Sequence, residues 1–247
     1  MPDPYRALAP FYDEAMGWRP KDTKLLRELI QDHHPFAKTI LELACGTGSL
    51  LQHFSSRYRV SGLDHSATML ARAKRKIPRV TFYRQNMTTF HINESFDVIF
   101  CAFNSLNHVS TFTGWKRTFE RAAHHLNPFG IFIFEVNTPK RLKVDPEEPW
   151  VVHPFGRHLI SVRTKYQQGL TSSLIVNVFE RTRDNRYRLH ESRIREIAFP
   201  RSRIRKALSP WFSKIEVVDP NRRHPSRHSE RLYFICHKKA TSLDWQA

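Results

Sequence analysis

Residues 40–48 join an apolar run to an acidic residue and two closely spaced glycines, in the order Ile-Leu-Glu-Leu-Ala-Cys-Gly-Thr-Gly. Gly46 and Gly48 can adopt positive φ angles and let a ligand approach the backbone closely. Asp64 ends the next apolar run, 18 residues after Gly46, where a carboxylate can accept hydrogen bonds from both hydroxyls of a ribose. This spacing predicts a binding site for a nucleoside ligand.

The loop around these glycines distinguishes between two classes of nucleoside ligand. A dinucleotide site uses the spacing Gly-x-Gly-x-x-Gly to place a pyrophosphate at a helix N-terminus, and this loop lacks the third glycine. Glu42, just upstream, would repel a pyrophosphate but attract a ligand that carries an ammonium and a sulfonium. The residues favour S-adenosylmethionine over a dinucleotide, although the glycine pair alone is weak evidence.

Two side chains that could take a proton from a second substrate belong to His108 and Glu135, and Tyr12, beside Asp13, is a third catalytic candidate. Histidine is the residue type best suited to proton transfer near neutral pH. Glu135 lies inside an apolar run, where a buried carboxylate is costly unless it is paired. We predict catalytic roles for all three. The alternatives are a supporting or capping position for His108, a solvent-facing strand end for Glu135 and a packed core ring for Tyr12. Polar residues that could bind the second substrate are Asn104, Asn107, His108 and Asn137.

Apolar runs alternate with amphipathic segments through the first 140 residues and must position these side chains. Strands are predicted at 39–44, 58–64, 79–84, 96–103 and 131–137. Helices are predicted within 5–34, with Asp22 or Thr23 as a cap, at 48–55, at 67–76 after the cap Ser66, and at 113–126. A turn at 127–130 is expected to separate the last helix from the last strand. Apolar strands separated by helices indicate a parallel sheet covered on both faces.

The pattern changes after residue 140 to the alternation that is typical of antiparallel strands. Three such strands are predicted within 158–167, 172–182 and 186–199, with turns at Gly169 and at Asp184-Asn185. A helix at 201–209 and strands at 214–220 and 231–238 are predicted to follow. The antiparallel segment is rich in arginines, which would suit an anionic acceptor or form a solvated face. They are Arg157, Arg163, Arg181, Arg183, Arg193 and Arg195.

Five segments, in order, resemble the motifs of class I S-adenosylmethionine-dependent methyltransferases. They are residues 40–51 (ILELACGTGSLL), 60–74 (VSGLDHSATMLARAK), 83–90 (YRQNMTTF), 96–109 (FDVIFCAFNSLNHV) and 125–139 (HLNPFGIFIFEVNTP). Residues 5–16 (YRALAPFYDEAM) are similar to the lid of small-molecule N-methyltransferases related to glycine and amino-sugar methyltransferases, and 229–239 (SERLYFICHKK) resembles the closing strand. Two positions depart from the pattern, because Ala44 replaces the first loop glycine and Asn86 stands where many relatives have aspartate.

The resemblance implies an α/β fold, namely a Rossmann-like, doubly wound, mostly parallel seven-stranded sheet with helices on both faces and an inserted antiparallel β lobe. It implies a lid and cofactor-binding core at 1–140, a substrate-covering lobe at 141–200, and the last helix and closing strands at 201–247. The implied cofactor is S-adenosylmethionine. The residues implied to bind it are Tyr5, Tyr12, Glu42, Ala44, Cys45, Gly46, Thr47, Gly48, Asp64, His65, Met69, Asn86, Met87, Cys101, Ala102 and Phe103.

The expected reaction is in-line transfer of a methyl group to a nitrogen or oxygen of a small-molecule acceptor, which the arginines suggest is anionic. The uneven distribution of net charge leaves RNA methylation as an alternative function. Residues 1–150 carry 20 basic and 15 acidic residues, a net charge of +5, whereas 151–247 carry 20 basic and 8 acidic residues, a net charge of +12. A basic half could bind RNA, although no RNA-binding module or Asn-Pro-Pro-Tyr-like tetrad is present. A non-catalytic binding protein is the other alternative.

The remaining composition bounds the cellular setting and the use of metals. Three cysteines that lie far apart in apolar segments predict reduced, buried thiols. No recognised spacing of metal ligands appears, and His33-His34 and His124-His125 are predicted surface residues, so no metal site is predicted. No signal-like or membrane-spanning segment is found, and we expect a cytoplasmic protein without a membrane partner.

Overall fold

The computed structural model describes residues 5–6, 8–16, 20–143, 150–167 and 169–239. The strands within these ranges are β1 Thr39–Leu43, β2 Arg59–Asp64, β3 Thr81–Arg84, β4 Phe96–Cys101, β5 Leu126–Asn137, β6 Val151–Phe155, β7 His158–Tyr166, β8 Thr171–Arg181, β9 Tyr187–Ile197, β10 Phe212–Val218 and β11 Arg231–Lys238. The α-helices are α1 Tyr12–Met16, α2 Pro20–His33, α3 Ala67–Lys76, α4 Phe112–His124, α5 Pro139–Leu142 and α6 Arg201–Leu208.

Seven strands form the central sheet in the order β10-β11-β5-β4-β1-β2-β3. Strands β1 to β5 pair in parallel, and β11 runs antiparallel to both β5 and β10. The predicted mostly parallel seven-stranded sheet is confirmed. In such a sheet, ligands bind beyond the carboxyl ends of the parallel strands.

Helices cover both faces of this sheet because each contributes one apolar side. Trp115 and Phe119 of α4 pack with Leu208 of α6 on one face. Leu26 and Ile30 of α2 pack on the other face. The predicted cap Ser66 is found at the start of α3, where its side chain accepts a hydrogen bond from the Met69 N–H.

Two predicted helices differ from the structure. Helix α2 begins at Pro20, so Asp22 and Thr23 lie inside it and do not cap it. The predicted helix at 48–55 is wrong, since only Leu51–His53 form a helical turn, of the 3-10 type. The physical reason is the preceding loop, in which Gly48 has a φ of 72° and its N–H closes a turn onto the Cys45 carbonyl.

Strand β5 is longer than predicted because it starts at Leu126 and includes the residues that were predicted as a turn. Phe129 has a φ of 63°, and the pairing of β4 with β5 changes register between Phe96 and Val98. The Asn127 to Gly130 sequence therefore forms an irregularity within the strand, where a left-handed residue fits.

Strands β6 to β9 form a second, antiparallel sheet in chain order. It confirms the predicted antiparallel lobe, and β6 is an additional strand that the alternation pattern did not reveal. Leu8 and Phe11, near the N-terminus, pack against Ile160 of β7 and Ile194 of β9. This contact joins the N-terminal segment to the second sheet.

The state of the cysteines and the character of the helices are also described by the structure. Cys45, Cys101 and Cys236 are buried free thiols, as predicted, and burial raises the pKa of each. They are therefore poor nucleophiles at neutral pH. In the described ranges, none of the helices has the length and apolar character needed to cross a membrane.

Candidate functional site

A cleft of about 1680 Å³ opens where β1, β2, β4 and β5 end. Its wall combines the glycine loop after β1, the N-terminal segment, the turn after β4 and strand β9 of the second sheet. Pockets for one small ligand are typically about 300–1,000 Å³. The cleft is therefore large enough to hold a nucleoside ligand and a second small molecule together.

The glycine loop and Asp64 are joined by hydrogen bonds that fix both. The Gly46 N–H donates to Asp64 Oδ2 over 2.9 Å, and the Ser66 N–H donates to Asp64 Oδ1 over 2.8 Å. Ala44 and Gly46 have φ angles of 55° and 54°. Ala44, which departs from the family pattern, thus adopts the left-handed conformation that glycine would adopt without cost.

Glu42 lies behind this loop and is 3% exposed. Burial, followed by the nearby charge of Asp64, raises the pKa of the Glu42 carboxyl well above its ordinary value. Among the described residues, its Oε2 atom has no hydrogen-bond partner. A positive ligand beside the loop would favour the ionised form of this carboxyl. The buried carboxyl therefore fits a sulfonium ligand better than a pyrophosphate.

The structure brings most of the predicted cofactor-binding residues to the cleft. Those in its wall are Tyr5, Tyr12, Ala44, Gly46, Asp64, His65, Met69, Asn86, Met87 and Phe103. Those outside its wall are Glu42, Cys45, Thr47, Gly48, Cys101 and Ala102. Cys45 points away because its sulfur packs on Gly62, where an added Cβ would lie 2.7 Å from Sγ.

Asp13 anchors the N-terminal segment to the glycine loop. Its carboxylate accepts hydrogen bonds from Thr47 Oγ1 at 2.5 Å, Ser49 Oγ at 2.6 Å and Lys76 Nζ at 2.6 Å. Burial acts to raise the pKa of Asp13, but the hydrogen bonds from Lys76, Ser49 and Thr47 outweigh it and lower the pKa. The hydroxyl of Thr47, a residue predicted to contact the cofactor, holds the segment that carries Tyr12.

His108 lies between a tyrosine and a carboxylate in the cleft. Its Nδ1 shares a 2.8 Å hydrogen bond with the Tyr5 hydroxyl, and its Nε2 is 3.4 Å from Glu196 Oε1. The Asn104 amide donates to Glu196 Oε1 over 2.6 Å, and the Asn137 amide donates to Glu196 Oε2 over 3.1 Å. Three predicted residues, His108, Asn104 and Asn137, thus converge on a carboxylate that was not predicted.

The sequence does contain a signal for Glu196. In β9, Ser192, Ile194 and Glu196 alternate with exposed arginines, so Glu196 shares the buried face of the strand. A carboxylate on a buried strand face requires partners, and here it finds the two asparagine amides. The sequence of β9 does not show which element this buried face contacts.

Asn107 does not line the cleft, although it was predicted to bind substrate. It is fully buried, and its amide donates to the carbonyls of Asn137 and Ile197 over 3.0 Å and 2.8 Å. It therefore ties the end of β5 to the end of β9. Next to it, Phe103 and Asn104 have φ angles of 53° and 49°, and such backbone strain is often found at functional sites.

Glu135 also lies outside the wall of the cleft and is fully buried. Its Oε2 accepts hydrogen bonds from the Phe103 N–H at 2.9 Å and the Tyr233 hydroxyl at 3.2 Å, and its Oε1 is 3.2 Å from Arg231 Nη1. Arg231 also binds Asp22 at 2.7 Å. The geometry does not bring Glu135 to a reacting atom, as its predicted catalytic role requires, and it places Glu135 in a structural ion-pair network.

Replacing Glu135 by alanine is expected to lower the free energy of unfolding by about 3 kcal/mol, because it removes one of the two carboxylates that pair with Arg231 and the acceptor of the Phe103 N–H and the Tyr233 hydroxyl. Denaturant unfolding monitored by circular dichroism measures the change. Glu230→Ala is the matched control, since Glu230 is a half-exposed carboxylate that pairs with Arg141 at 3.9 Å. A Glu135→Ala protein with unchanged stability and no activity would restore the catalytic assignment.

Arginines from several elements line the same cleft. They are Arg6, Arg117, Arg141, Arg193, Arg195 and Arg231. Among the predicted arginines, Arg193 and Arg195 therefore reach the cleft, whereas Arg157, Arg163, Arg181 and Arg183 do not. Within the part of the chain that is described, Arg117 and Arg195 form no ion pair.

Comparisons with known proteins show what this chain is similar to. Residues 40–130 match the family described as methyltransferase domain. A protein of Geobacillus sp. (strain WCH70) that is named as a methyltransferase is 27% identical over 251 aligned positions, which cover 95% of this chain and 99% of that protein. The dTDP-3-amino-3,6-dideoxy-alpha-D-glucopyranose N,N-dimethyltransferase of Streptomyces fradiae is 27% identical over 195 positions, 78% of this chain and 76% of that enzyme.

The crystal structure of an S-adenosylmethionine-dependent methyltransferase from Clostridium acetobutylicum ATCC 824 superimposes with a TM-score of 0.80 at 20% identity. The superposition covers 96% of this chain and all of that one, which shows the same fold.

Proposed function

We propose that this chain, an S-adenosylmethionine-dependent methyltransferase, methylates the nitrogen of a small amine that also carries an anionic group. One observation carries the proposal. In the cleft, His108 lies between the Tyr5 hydroxyl and the buried Glu196 carboxylate. An amine is protonated at neutral pH and must lose a proton before its lone pair can attack, and this arrangement suits that task.

The cofactor is proposed to lie along the glycine loop. Asp64 would accept hydrogen bonds from the ribose, and Gly46 would permit close approach. Asn86 would meet the adenine edge, because its Oδ1 already accepts a hydrogen bond from the Thr88 N–H at 2.9 Å, which leaves its Nδ2 to donate to a ligand. When bound, S-adenosylmethionine supplies a methyl group that its sulfonium activates for displacement.

The acceptor is proposed to lie between the loop and β9. His108 would take the ammonium proton on Nε2, and Glu196 would stabilise the resulting imidazolium. Asn104 and Asn137 would keep Glu196 in place through their amide hydrogen bonds. The Nδ1–H of His108 would donate to the Tyr5 hydroxyl oxygen, which orients the ring and leaves Nε2 as the nitrogen that takes the proton. Tyr12 and the closed N-terminal segment would exclude water from the reacting atoms.

The anionic part of the acceptor is inferred from Arg117, which lines the cleft and whose charge is not paired within the described residues. The relative from Streptomyces fradiae acts, by its name, on an amino sugar joined to dTDP. A diphosphate of that kind would suit guanidinium groups. We further propose that residues 141–200, which contribute Arg195 and Glu196, form the cover of the acceptor, between a cofactor-binding core at 1–140 and the closing elements at 201–247.

The test is transfer of labelled methyl from S-adenosylmethionine to a panel of acceptors. The panel contains dTDP-linked amino sugars, the same amino sugars without the nucleotide, the corresponding hydroxy sugars and total RNA. Label in the dTDP-linked amines, with kcat/KM at least about tenfold above the free amino sugars, is expected. Label in the hydroxy sugars would move the acceptor atom to oxygen. Label that ribonuclease releases would contradict the small-molecule acceptor and favour RNA.

The anchoring of the N-terminal segment predicts a separate effect on cofactor binding. Asp13→Ala is expected to raise the Kd for S-adenosylmethionine roughly tenfold, because three hydrogen bonds that close the segment over the loop are lost. Calorimetric titration measures the Kd. Glu14→Ala is the control, because Glu14 is an exposed residue one position along the same helix, and this variant should bind as tightly as the parent protein. Equal affinities for both variants would contradict the proposed closure.

A further inference from the structure

A second cluster of polar side chains lies at the other edge of the molecule, outside the wall of the cleft. It consists of His33 at the end of α2, Glu216 on β10 and His237 on β11. Glu216 Oε1 is 3.4 Å from His33 Nδ1 and 3.7 Å from His237 Nε2. One nitrogen from each histidine and this oxygen all lie within 4.8 Å of one another. We propose that these three residues bind a zinc ion.

The distances match those that a tetrahedral zinc site requires. Zinc binds imidazole nitrogens at about 2.0–2.1 Å and carboxylate oxygens at about 2.0–2.2 Å, which places neighbouring ligand atoms about 3.3–3.5 Å apart. Both distances to Glu216 are close to this value. The two histidine nitrogens would have to approach by at most about 1.4 Å, which rotation about their side-chain bonds can provide.

Two polar atoms of the cluster are inaccessible to solvent, and among the described residues only ion-pair contacts satisfy them. His237 Nε2 and Glu216 Oε1 are inaccessible to solvent and form no hydrogen bond of acceptable geometry with a described residue. Such atoms are costly unless a ligand compensates them. Lys214 is the competing cation, since its Nζ is 2.7 Å from Glu216 Oε1. Its side chain is 63% exposed, so it can leave for solvent when the metal binds.

The backbone also favours a cation at this position. His33 is the last residue of α2, and the C-terminal end of a helix carries a partial negative charge. Glu216 and His237 project from paired strands toward that end. Two imidazoles and one carboxylate are a donor set that zinc accepts, with water as the fourth ligand. The ion would fasten α2 to the edge of the sheet and act on stability, at a distance from the methyl transfer.

Zinc binding to the full chain, with any affinity tag removed and metals stripped by a chelator, tests this proposal. We expect one Zn²⁺ per chain by competition with a chelating dye, and a rise in Tm of roughly 5 °C or more at a hundredfold excess over Kd. Co²⁺ in place of zinc should give the intense visible absorption of a tetrahedral site. Absence of stoichiometric binding, or a Co²⁺ spectrum typical of octahedral coordination, would overturn the proposal.

Variants decide which residues hold the metal. His33→Gln and His237→Gln are each expected to lower the affinity for zinc at least about a hundredfold while the variants remain folded without metal. His34→Gln is the matched control, because His34 is the neighbouring histidine and does not belong to the cluster. Its zinc affinity should equal that of the parent chain. Loss of binding in His34→Gln, or retention in both cluster variants, would show that the assignment is wrong.

Discussion

Replacing His108 by alanine is expected to lower kcat for methyl transfer to an amine by about 10²–10⁴-fold, with little change in the Kd for S-adenosylmethionine. The reason is the position of His108 between Tyr5 and Glu196, on the acceptor side of the cleft. In the proposed mechanism the ring receives the ammonium proton, and removing it leaves water as the base. Single-turnover rates and calorimetric titration separate the two quantities.

The pH dependence of this deficit distinguishes proton transfer from positioning. As pH rises, more of the acceptor amine is already unprotonated, so a base becomes less necessary. The ratio of parent to His108→Ala rates should therefore shrink toward high pH. A ratio that stays constant with pH would mean that His108 only orients the acceptor.

Glu196→Gln provides the companion variant. It keeps the size of the side chain but removes the charge that would stabilise a protonated His108. The new side-chain amide would also place an N–H group against the N–H donors of the Asn104 or Asn137 amide. We expect a loss in kcat that is smaller than for His108→Ala. A larger loss would make Glu196 itself the group that receives the proton.

The sequence predicts those parts of the site that depend on neighbours in the chain. Gly46 lies in the loop after the first strand, Asp64 ends the second strand, and the cap Ser66 follows two residues later. A strand-loop-strand pattern in the sequence therefore predicts all three positions. The predicted helix at 48–55 failed for a related reason. Its apolar spacing resembles a helix, but the left-handed residues before it keep the chain in turns until Leu51.

Contacts between distant segments could not be predicted in the same way. Glu196 reaches His108 only because the second sheet folds over the turn after β4. The alternating pattern of β9 does not reveal which element its buried face contacts. Glu135 was predicted as catalytic because it interrupts an apolar run. The partner that explains it, Arg231, lies on a strand almost a hundred residues later. The proposed zinc site was not predicted from the sequence, because its residues come from a helix and two strands with no motif spacing.

Replacing Asp64 by alanine is expected to raise the Kd for S-adenosylmethionine about a hundredfold, equivalent to about 2.7 kcal/mol. The substitution would remove the hydrogen bonds proposed between Asp64 and the ribose. It would also remove the Asp64 Oδ2 atom, which lies 2.9 Å from the Gly46 nitrogen and fixes the loop by accepting its hydrogen bond. Asp64→Asn keeps one acceptor oxygen and the size of the side chain, so we expect a rise of only about tenfold. Calorimetric titration with the cofactor, and with its demethylated product, measures both.

Ser66→Ala separates ribose binding from the stability of the loop. It removes the cap of α3, whose Ser66 hydroxyl accepts from the Met69 N–H, and should lower the free energy of unfolding by about 1 kcal/mol. Ser66 is not part of the cleft wall, so the Kd for the cofactor should change less than about threefold. If Asp64→Ala binds the cofactor as tightly as Ser66→Ala does, Asp64 supports the loop and does not contact the ribose. A Kd about a hundredfold higher for Asp64→Ala than for Ser66→Ala, with a similar loss in the free energy of unfolding, would indicate that Asp64 contacts the cofactor directly.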